Sequence, residues 1–417
     1  MTTDSYVLKT VPLRFRGADM RLELSHALFS SNDIDAGSKL LLKAVAKAAD
    51  AAAVASILDI GSGVGVLGIA CALGYPGSAL SVRDRDALAC AFSARNAKIN
   101  KLKPETVETA LFLEGLTGKD FDLVLCNVPA KAGPPVLDRF FRELPGIVSA
   151  RGLAALVVVN TIAEAAQASL TAAGVEPIVA EQSKGHTVFI VRREGRAAFM
   201  EEPDAFEGYA RGLAKTERGP GSSRRSNYRH RGYWGLPEFD TPSFATVLAM
   251  ELVEAGASGL LARRACVINP GSGRLPCFIR SRLGAFVELC GRDVLALKAS
   301  AANLAINGQT GPLENGTAAM PAIPPACAAV AWPDSLPEAS YDLVAEYADV
   351  TPRVDSFEAS WLAARRLLKL GGSYVAVMTS ADFDRFEKRK PKGFSKLREK
   401  KKKGWTAGLW RLESVDK

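Results

Sequence analysis

Three short stretches of the chain combine residue types and spacings that can do chemistry. In "ILDIGSGVGVLG" (57–68) Asp59 ends an apolar run, and Gly61, Gly63 and Gly65 follow at alternate positions before a segment of helical period. Glycines in such a turn let the backbone approach a ligand closely, and the helix that follows turns N–H groups and positive dipole toward it. Gly63 to Gly68 also matches GxGxxG, a dinucleotide-type spacing that carries little weight alone. Asp84 ends the next apolar run, "ALSVRD" (79–84), where one carboxylate can accept both hydroxyls of a ribose. The third stretch, "FDLVLCNVPA" (121–130), ends on Asn127-Val128-Pro129-Ala130. This delivers an Asn-x-Pro turn to the mouth of the strand. Hydride transfer has no use for that turn, and an acid just before the glycines suits a ligand bearing an ammonium group. The set points to S-adenosylmethionine rather than a nicotinamide dinucleotide.

Those loops need a scaffold that ends its strands side by side. Apolar runs alternate with helical segments: "ASILDI", "ALSVRD", "FDLVLCN" and "LAALVVVN" read as strands, with "VGVLGIACALG", "DALACAFSARNAKIN" and "DRFFRELPGIVS" as helices between them. The alternation predicts a mostly parallel sheet covered on both faces, a doubly wound α/β domain whose ligands bind beyond the carboxyl ends of the strands. The pattern occurs twice. "LDIGSGVG" (58–65) pairs with "INPGSGRL" (268–275), "RDALACAFSARNAKIN" (85–100) with "RDVLALKASAANLAING" (292–308), "FDLVLCNVPA" with "YDLVAEYADV" (341–350), and "KGHTVFIVRR" (184–193) with "KGWTAGLWRL" (403–412). A tandem duplication follows, with a first domain over 1–205, a basic Gly/Ser/Arg linker over 206–231 and a second domain over 232–417.

On these residues the chain resembles class I S-adenosylmethionine-dependent methyltransferases of the "small domain" type, in particular the tandem-domain bacterial ribosomal RNA guanine methyltransferases. The resemblance covers nearly the whole chain and implies two Rossmann-like methyltransferase domains, the second degenerate. It implies that Asp59, Gly61, Gly63 and Gly65 hold the methionine side of the cofactor, Asp84 the ribose and Glu114 the adenine. "FSSNDIDAGSKLLL" (29–42) resembles the family's pre-loop segment and would set Asp35, Gly37 and Ser38 over the cofactor. Asn127 and Pro129 match the catalytic Asn/Asp-Pro-Pro-aromatic turn, but Ala130 stands where the stacking aromatic belongs, so Phe29 is the candidate replacement ring. The expected reaction is methyl transfer to an exocyclic base amine of RNA, guanine in ribosomal RNA or a ribosomal subunit. A protein amide or amine substrate, which would suit Ala130, and a non-catalytic RNA-binding assembly factor are the alternatives.

In the second copy, Asn269-Pro270 stands for Asp59-Ile60, Leu275 for Gly65, Gly291 for Asp84, and Tyr347 and Asp349 for Asn127 and Pro129. Losses at all these places predict a copy without cofactor, left to hold substrate. The formal net charge of +8 concentrates at two addresses. One is the linker; the other is 385–405, with 11 basic residues against Glu387 and Glu399. Interleaved with Tyr228, Tyr233, Trp234, Phe386, Phe394 and Trp405, they fit a polyanion such as RNA, with Arg224, Arg225, Lys400, Lys401 and Lys402 as contacts. The composition, 48% hydrophobic and 24% charged, is that of a globular protein, which excludes wholesale disorder. No apolar run approaches the ~20 residues of a membrane span, so a cytoplasmic protein is expected, and with two copies already fused a monomer. The seven cysteines form no CxxC and read as buried thiols, Cys126 among them; His186 reads as structural, and no metal constellation appears.

Overall fold

The computed structural model describes residues 3–29, 32–50, 53–193, 206–221, 223–256, 262–309, 329–330 and 332–414. The chain divides into two compact units, Thr2–Tyr209 and Ala210–Lys417, each built around one seven-stranded sheet. No helix among the described residues is long and apolar enough to cross a membrane.

The first unit opens with an antiparallel hairpin, β1 (Lys9–Phe15) and β2 (Ala18–Leu24). It continues with α1 (Ala36–Ala48), β3 (Ser56–Ile60), α2 (Val66–Gly74), β4 (Ala79–Asp84), α3 (Ala87–Ile99), β5 (Thr106–Thr109), β6 (Phe121–Asn127), α4 (Pro134–Glu143), β7 (Val148–Val159), α5 (Ala163–Ala172), β8 (Ile178–Gln182) and β9 (His186–Arg192). The sheet order is β5-β4-β3-β6-β7-β9-β8, antiparallel only at β9 and β8. The order reverses direction between β3 and β6, the kind of switch point where open α/β sheets leave a crevice for ligands. Register there is pinned by Asp122, whose Oδ2 accepts from the backbone of Ala55 and Ser56 at 3.0 and 3.1 Å. Helix α4 begins four residues before "DRFFRELPGIVS", because Pro134 and Pro135 need no intrahelical N–H bond in a first turn. That predicted helix also ends in β7, where Val148 pairs with Phe121.

The second unit repeats the plan with β10 (Ala210–Arg218), β11 (Asn227–Tyr233), α6 (Phe244–Gly256), β12 (Arg264–Ile268), α7 (Arg274–Leu283), β13 (Phe286–Cys290), α8 (Val294–Ile306), β14 (Ala329–Val330), β15 (Tyr341–Tyr347), α9 (Ser356–Leu367), β16 (Leu368–Thr379), α10 (Ser380–Glu387), β17 (Phe394–Lys402) and β18 (Trp405–Leu412). Its order, β14-β13-β12-β15-β16-β18-β17, matches the first. Along β12, Ala265 and Val267 enter one core, and Cys266 and Ile268 the other, as a sheet buried on both faces requires. Asp342 repeats the work of Asp122, accepting from the N–H groups of Arg263 and Arg264 at 2.9 and 3.0 Å.

Two sequence expectations need correction. Much of 206–231 is no linker: β10 and β11 pair as an antiparallel hairpin within the second unit. It is the counterpart of β1–β2. Asn96 and Asn100 of α3 clamp the backbone of Glu23 and Arg21, and Asn303 and Asn307 of α8 clamp Arg231 and Arg229 in the same way. The stretch 194–205, at the expected domain boundary, lies outside the described residues. The pairing of 58–65 with 268–275 is also two residues out of register. Gly61, Gly63 and Gly65 have φ of +70°, +56° and +86°; Asn269, Gly271 and Gly273 repeat them at +55°, +58° and +93°. Val267, not Asn269, therefore stands at the place of Asp59, and the last glycine survives as Gly273.

Candidate functional site

Strand register builds the site. Ile60 pairs with Arg83 on one side and Cys126 on the other. Asp84, the Gly61–Gly65 turn and Asn127 therefore leave three adjacent strands side by side, with strands about 4.8 Å apart. At Gly61 and Gly63 the backbone is left-handed and a Cβ would meet nothing within 4 Å, so the two glycines line open space. Gly65 serves another purpose: a Cβ there would come within 2.8 Å of Ile69 and 3.3 Å of the Ser93 backbone, so its bareness lets α2 and α3 pack. Ser93 also braces the turn, donating to the Gly63 carbonyl at 3.1 Å.

Asp84 closes the cradle. Its Oδ2 accepts from Gly63 N at 2.9 Å and its Oδ1 from Asp86 N at 2.9 Å, which aims the carboxylate along the turn. Asp59 lies beneath rather than in the cradle. It is fully buried, its Oδ2 accepts from Gly68 N at 2.8 Å, and its Oδ1 has no partner among the described residues. Burial, with the Asp84 charge adding to it, pushes its pKa up to about 7. The unpaired Oδ1 is an acceptor left open beside the glycine turn, and a carboxyl so placed favours a cation near it. Open space over Gly61 and Gly63, this orphaned oxygen and the Asp84 carboxylate fit a ligand with a cationic end and a ribose.

Glu114 turns back on its own loop, where Oε2 accepts from Leu111 N at 3.2 Å. That loop is held by Arg83, which the sequence reading passed over. Its buried guanidinium donates to the carbonyls of Phe112 (3.0 Å) and Glu114 (2.8 Å) and pairs with Glu108 at 3.0 Å. The available signal was a lone arginine inside an apolar strand.

At the third strand end, Asn127 donates from Nδ2 to Asp35 Oδ1 at 3.1 Å and to Ser38 Oγ at 3.3 Å. Asp35 and Ser38, expected over the cofactor, are thus bonded to the Asn127 turn; Asp35 is also the N-cap of α1, accepting from Ser38 N. The His186 ring lies on the same helical turn, within 3.1 Å of where a Gly37 Cβ would stand. Pro129 is exposed and leads into a short 3-10 turn starting at Ala130. Phe29 is 74% exposed, an aromatic face left to solvent. Cys126 is fully buried, and burial drives its thiol pKa well up, so it is no nucleophile.

In the second unit side chains cross part of the equivalent crevice, although a Cβ at Gly271, in the place of Gly63, would also meet nothing within 4 Å. Asn269 Nδ2 donates to the Tyr347 carbonyl at 2.9 Å, and its Oδ1 would lie 3.4 Å from a Cβ at Gly291. Tyr347, in the place of Asn127, bonds through its hydroxyl to Thr246 at 2.7 Å. Thr246 in turn donates to Glu238, which also receives Ser272. Arg274, fully buried, makes two 2.8 Å bonds to Glu217. Against the upward pull of burial, His230 and Arg274 hold Glu217 at about 2.

The expected RNA contacts divide. Lys400, Lys401 and Lys402 lie on β17, an edge strand of the second sheet. Lys400 pairs with Glu251 at 2.5 Å, and Lys402 sits 5.5 Å from the Phe244 ring centre. Lys401 and Lys402 are exposed, as is Arg225 in the β10–β11 connection; the Arg224 side chain lies outside the described part of the structure. Most of the interleaved aromatics are core: Tyr228, Tyr233, Phe386 and Phe394 are at most 4% exposed. Burying such rings is worth more than leaving them for a partner. Trp234 and Trp405 are the exceptions, both partly buried, with the Arg211 guanidinium 4.4 Å from the Trp234 ring centre.

Residues 19–190 match the family model described as Methyltransferase small domain. Over 129 residues the chain is 34% identical to ribosomal RNA small subunit methyltransferase C of Pasteurella multocida, a stretch covering 31% of this chain and 38% of that protein. Ribosomal RNA large subunit methyltransferase G of Ectopseudomonas mendocina is 36% identical over 121 residues, 28% of this chain and 32% of that one. The chain thus matches less than half the length of these curated relatives. The structure of the T. thermophilus 16S rRNA N2 methyltransferase RsmC, solved with AdoMet and guanosine, superposes with a TM-score of 0.67 at 20% identity, over 99% of this chain and all of that one. The glycine cradle, Asp84 and Asn127 thus stand at three adjoining strand ends inside the stretch that matches a methyltransferase small domain, in a chain with two Rossmann-like methyltransferase folds in tandem.

Proposed function

We propose that the first unit transfers a methyl group from S-adenosylmethionine to the exocyclic amine of a base in RNA, guanine in ribosomal RNA, and that the second unit holds the RNA. The observation carrying this reading is the Asn127 amide. Its nitrogen is used by Asp35 and Ser38, which leaves Oδ1 as a hydrogen-bond acceptor beside the cradle. Bound over Gly61 and Gly63, S-adenosylmethionine supplies a methyl group already activated on a sulfonium. The protein's part is positioning: Asn127 Oδ1 accepts one amine hydrogen, turns the nitrogen lone pair toward the methyl carbon and leaves the second proton to solvent as the C–N bond forms and the C–S bond breaks. The names of the matched relatives, all acting on ribosomal RNA, support the substrate class. Asp84, bonded along the glycine turn, is the residue to hold the ribose, and the 111–114 loop braced by Arg83 would flank the adenine.

For the second unit, the reading rests on Gly291 in the place of Asp84, on Asn269 bonding the Tyr347 carbonyl where the first unit has a bare glycine, and on exposed Lys401 and Lys402. Ala130 in place of an aromatic favours a protein amide or amine as the competing substrate. The test is tritium transfer from labelled S-adenosylmethionine into ribosomal RNA, ribosomal subunits and total protein from a strain lacking the gene. Label in RNA that disappears with Asp84→Ala and Asn127→Ala supports the proposal. Label in protein alone refutes it, and no calorimetric binding of the cofactor reduces the protein to a scaffold.

A further inference from the structure

We infer that Asp35 is a positioning residue that fixes which end of the Asn127 amide faces the substrate; the inference rests on the reading of Asn127 given above. An asparagine amide has two nearly isosteric orientations, one presenting an acceptor and the other a donor. A target amine needs the acceptor. Nothing in the strand itself chooses between them, because pairing with Val157 at the end of β6 engages the backbone of Asn127 and not its side-chain amide.

Asp35 makes the choice. Its Oδ1 lies 3.1 Å from Asn127 Nδ2 and also accepts from Ser38 N at 3.0 Å. An ionised carboxylate only accepts, so the amide must turn its nitrogen inward. Ser38 Oγ, 3.3 Å from the same nitrogen, can accept or donate and would tolerate either orientation. The Asp35 carboxylate is itself held: it caps the first turn of α1, and the His186 ring packs over Gly37 of that turn.

The duplicated unit supplies an internal comparison. The places of Asp35, Ser38 and Asn127 are taken there by Ser243, Thr246 and Tyr347. Ser243 Oγ still accepts from Thr246 N at 3.2 Å, so the helix cap is kept. The capping carboxylate is lost together with the asparagine, and a Tyr347–Thr246 hydroxyl contact of 2.7 Å replaces the amide's hold, with Glu238 from outside the helix accepting from Ser243 N and Thr246 Oγ1. Capping alone therefore does not require the acid; orienting an amide does.

The experiment compares Asp35→Ser, Asp35→Asn, Ser38→Ala and Asn127→Ala in the full chain. Serine keeps the cap but cannot reach Asn127, whereas asparagine keeps an oxygen at the place of Oδ1. Expected are a fall in kcat of about 10²-fold for Asp35→Ser, as for a displaced reacting group, a loss of at most about threefold for Asp35→Asn, and unchanged cofactor Kd and melting temperature for both. Hydrogen exchange of the Asn127 side-chain amide, identified by its disappearance in Asn127→Ala, should be slow in the parent and Asp35→Asn and fast in Asp35→Ser. Asp35→Ser retaining kcat while Asn127→Ala is inactive overturns the inference and spares the reading of Asn127. A parallel loss of cofactor affinity assigns Asp35 to the cofactor instead and also overturns it. An equal fall in Asp35→Asn, or slow exchange in Asp35→Ser, does the same. Full activity in Asn127→Ala brings down the reading of Asn127 itself.

Discussion

Asp59 gives the sharpest pH test. Its carboxyl is fully buried with one oxygen unpaired, and its pKa rises from 3.8 in the open chain to about 7 in the fold. The native protein therefore holds this proton more tightly than the unfolded chain. Its contribution is complete below about pH 4 and is lost as pH rises through about 7. A shift of this size corresponds to about 4 kcal/mol in all, of which about 3 kcal/mol falls between about pH 5 and pH 8, at no more than about 1.4 kcal/mol per unit. Asp59→Asn removes the titration while keeping an oxygen for Gly68 N. The melting temperature of the parent minus that of Asp59→Asn should accordingly fall by about 6–12 °C between about pH 5 and pH 8, for a unit of this size. Differential scanning calorimetry at a series of pH values measures it. A cofactor carrying sulfonium and ammonium charges favours the ionised acid, so binding near pH 6.5 should release part of a proton, seen as buffer-dependent heat, from the parent and not from the variant. A melting difference flat to about 2 °C across this range would mean that the acid is already ionised in the fold, and the account of it as a neutral buried carboxyl would be wrong.

The glycines separate by function: Gly63→Ala should cost about 1–2 kcal/mol, from left-handed backbone alone, yet weaken cofactor binding at least about tenfold by filling the cradle. Gly65→Ala, forced against Ile69 and Ser93, should cost about 2–3 kcal/mol with a smaller effect on affinity, and calorimetry with and without cofactor checks both. In the second unit, Arg274→Met strands Glu217 and Glu238 and should lower stability by about 3–5 kcal/mol in denaturant unfolding. Because Glu217 is held at about 2 in the fold against 4.5 in the open chain, its contribution is present above about pH 4.5 and disappears as pH falls toward 2; Glu217→Gln should abolish that acid sensitivity. Lys401→Glu with Lys402→Glu should weaken RNA binding and flatten the log–log salt dependence by about one unit per lost phosphate contact, read by filter binding over a salt series. An unchanged slope would leave these lysines as protection for an edge strand.

The parts of the site legible in the letters were those dictated by backbone geometry. Left-handed turns need glycine, so the Gly61–Gly65 turn could be read, and apolar runs of 5–7 residues between helices marked β3, β4 and β6 almost to the residue. Which glycine meets ligand and which meets a neighbouring helix was not legible, because both need the same φ and differ only in what packs opposite. The two-residue error in matching the copies has the same origin: "GSG" occurs in both loops, but the turn takes its register from the left-handed positions, and asparagine can occupy one as Asn269 does. The basic hairpin of the second unit was hidden by composition, since its pairing depends on Asn303 and Asn307 some 70 residues downstream.

The sequence by itself determined that this chain is two α/β copies, that one keeps a cradle with an acid on either side, and that an asparagine turn ends the adjoining strand. Those are properties of period, spacing and residue chemistry, which are local. Only the tertiary structure decided that Asp59 is fully buried with one oxygen unpaired, that Asp35 and Ser38 bond Asn127, that Arg83 holds the 111–114 loop and that Asn269 reaches the Tyr347 carbonyl in the second unit. Those depend on which side chains meet across strands and helices far apart in the chain, and distance in space, unlike spacing in sequence, exists only once the sheet has closed.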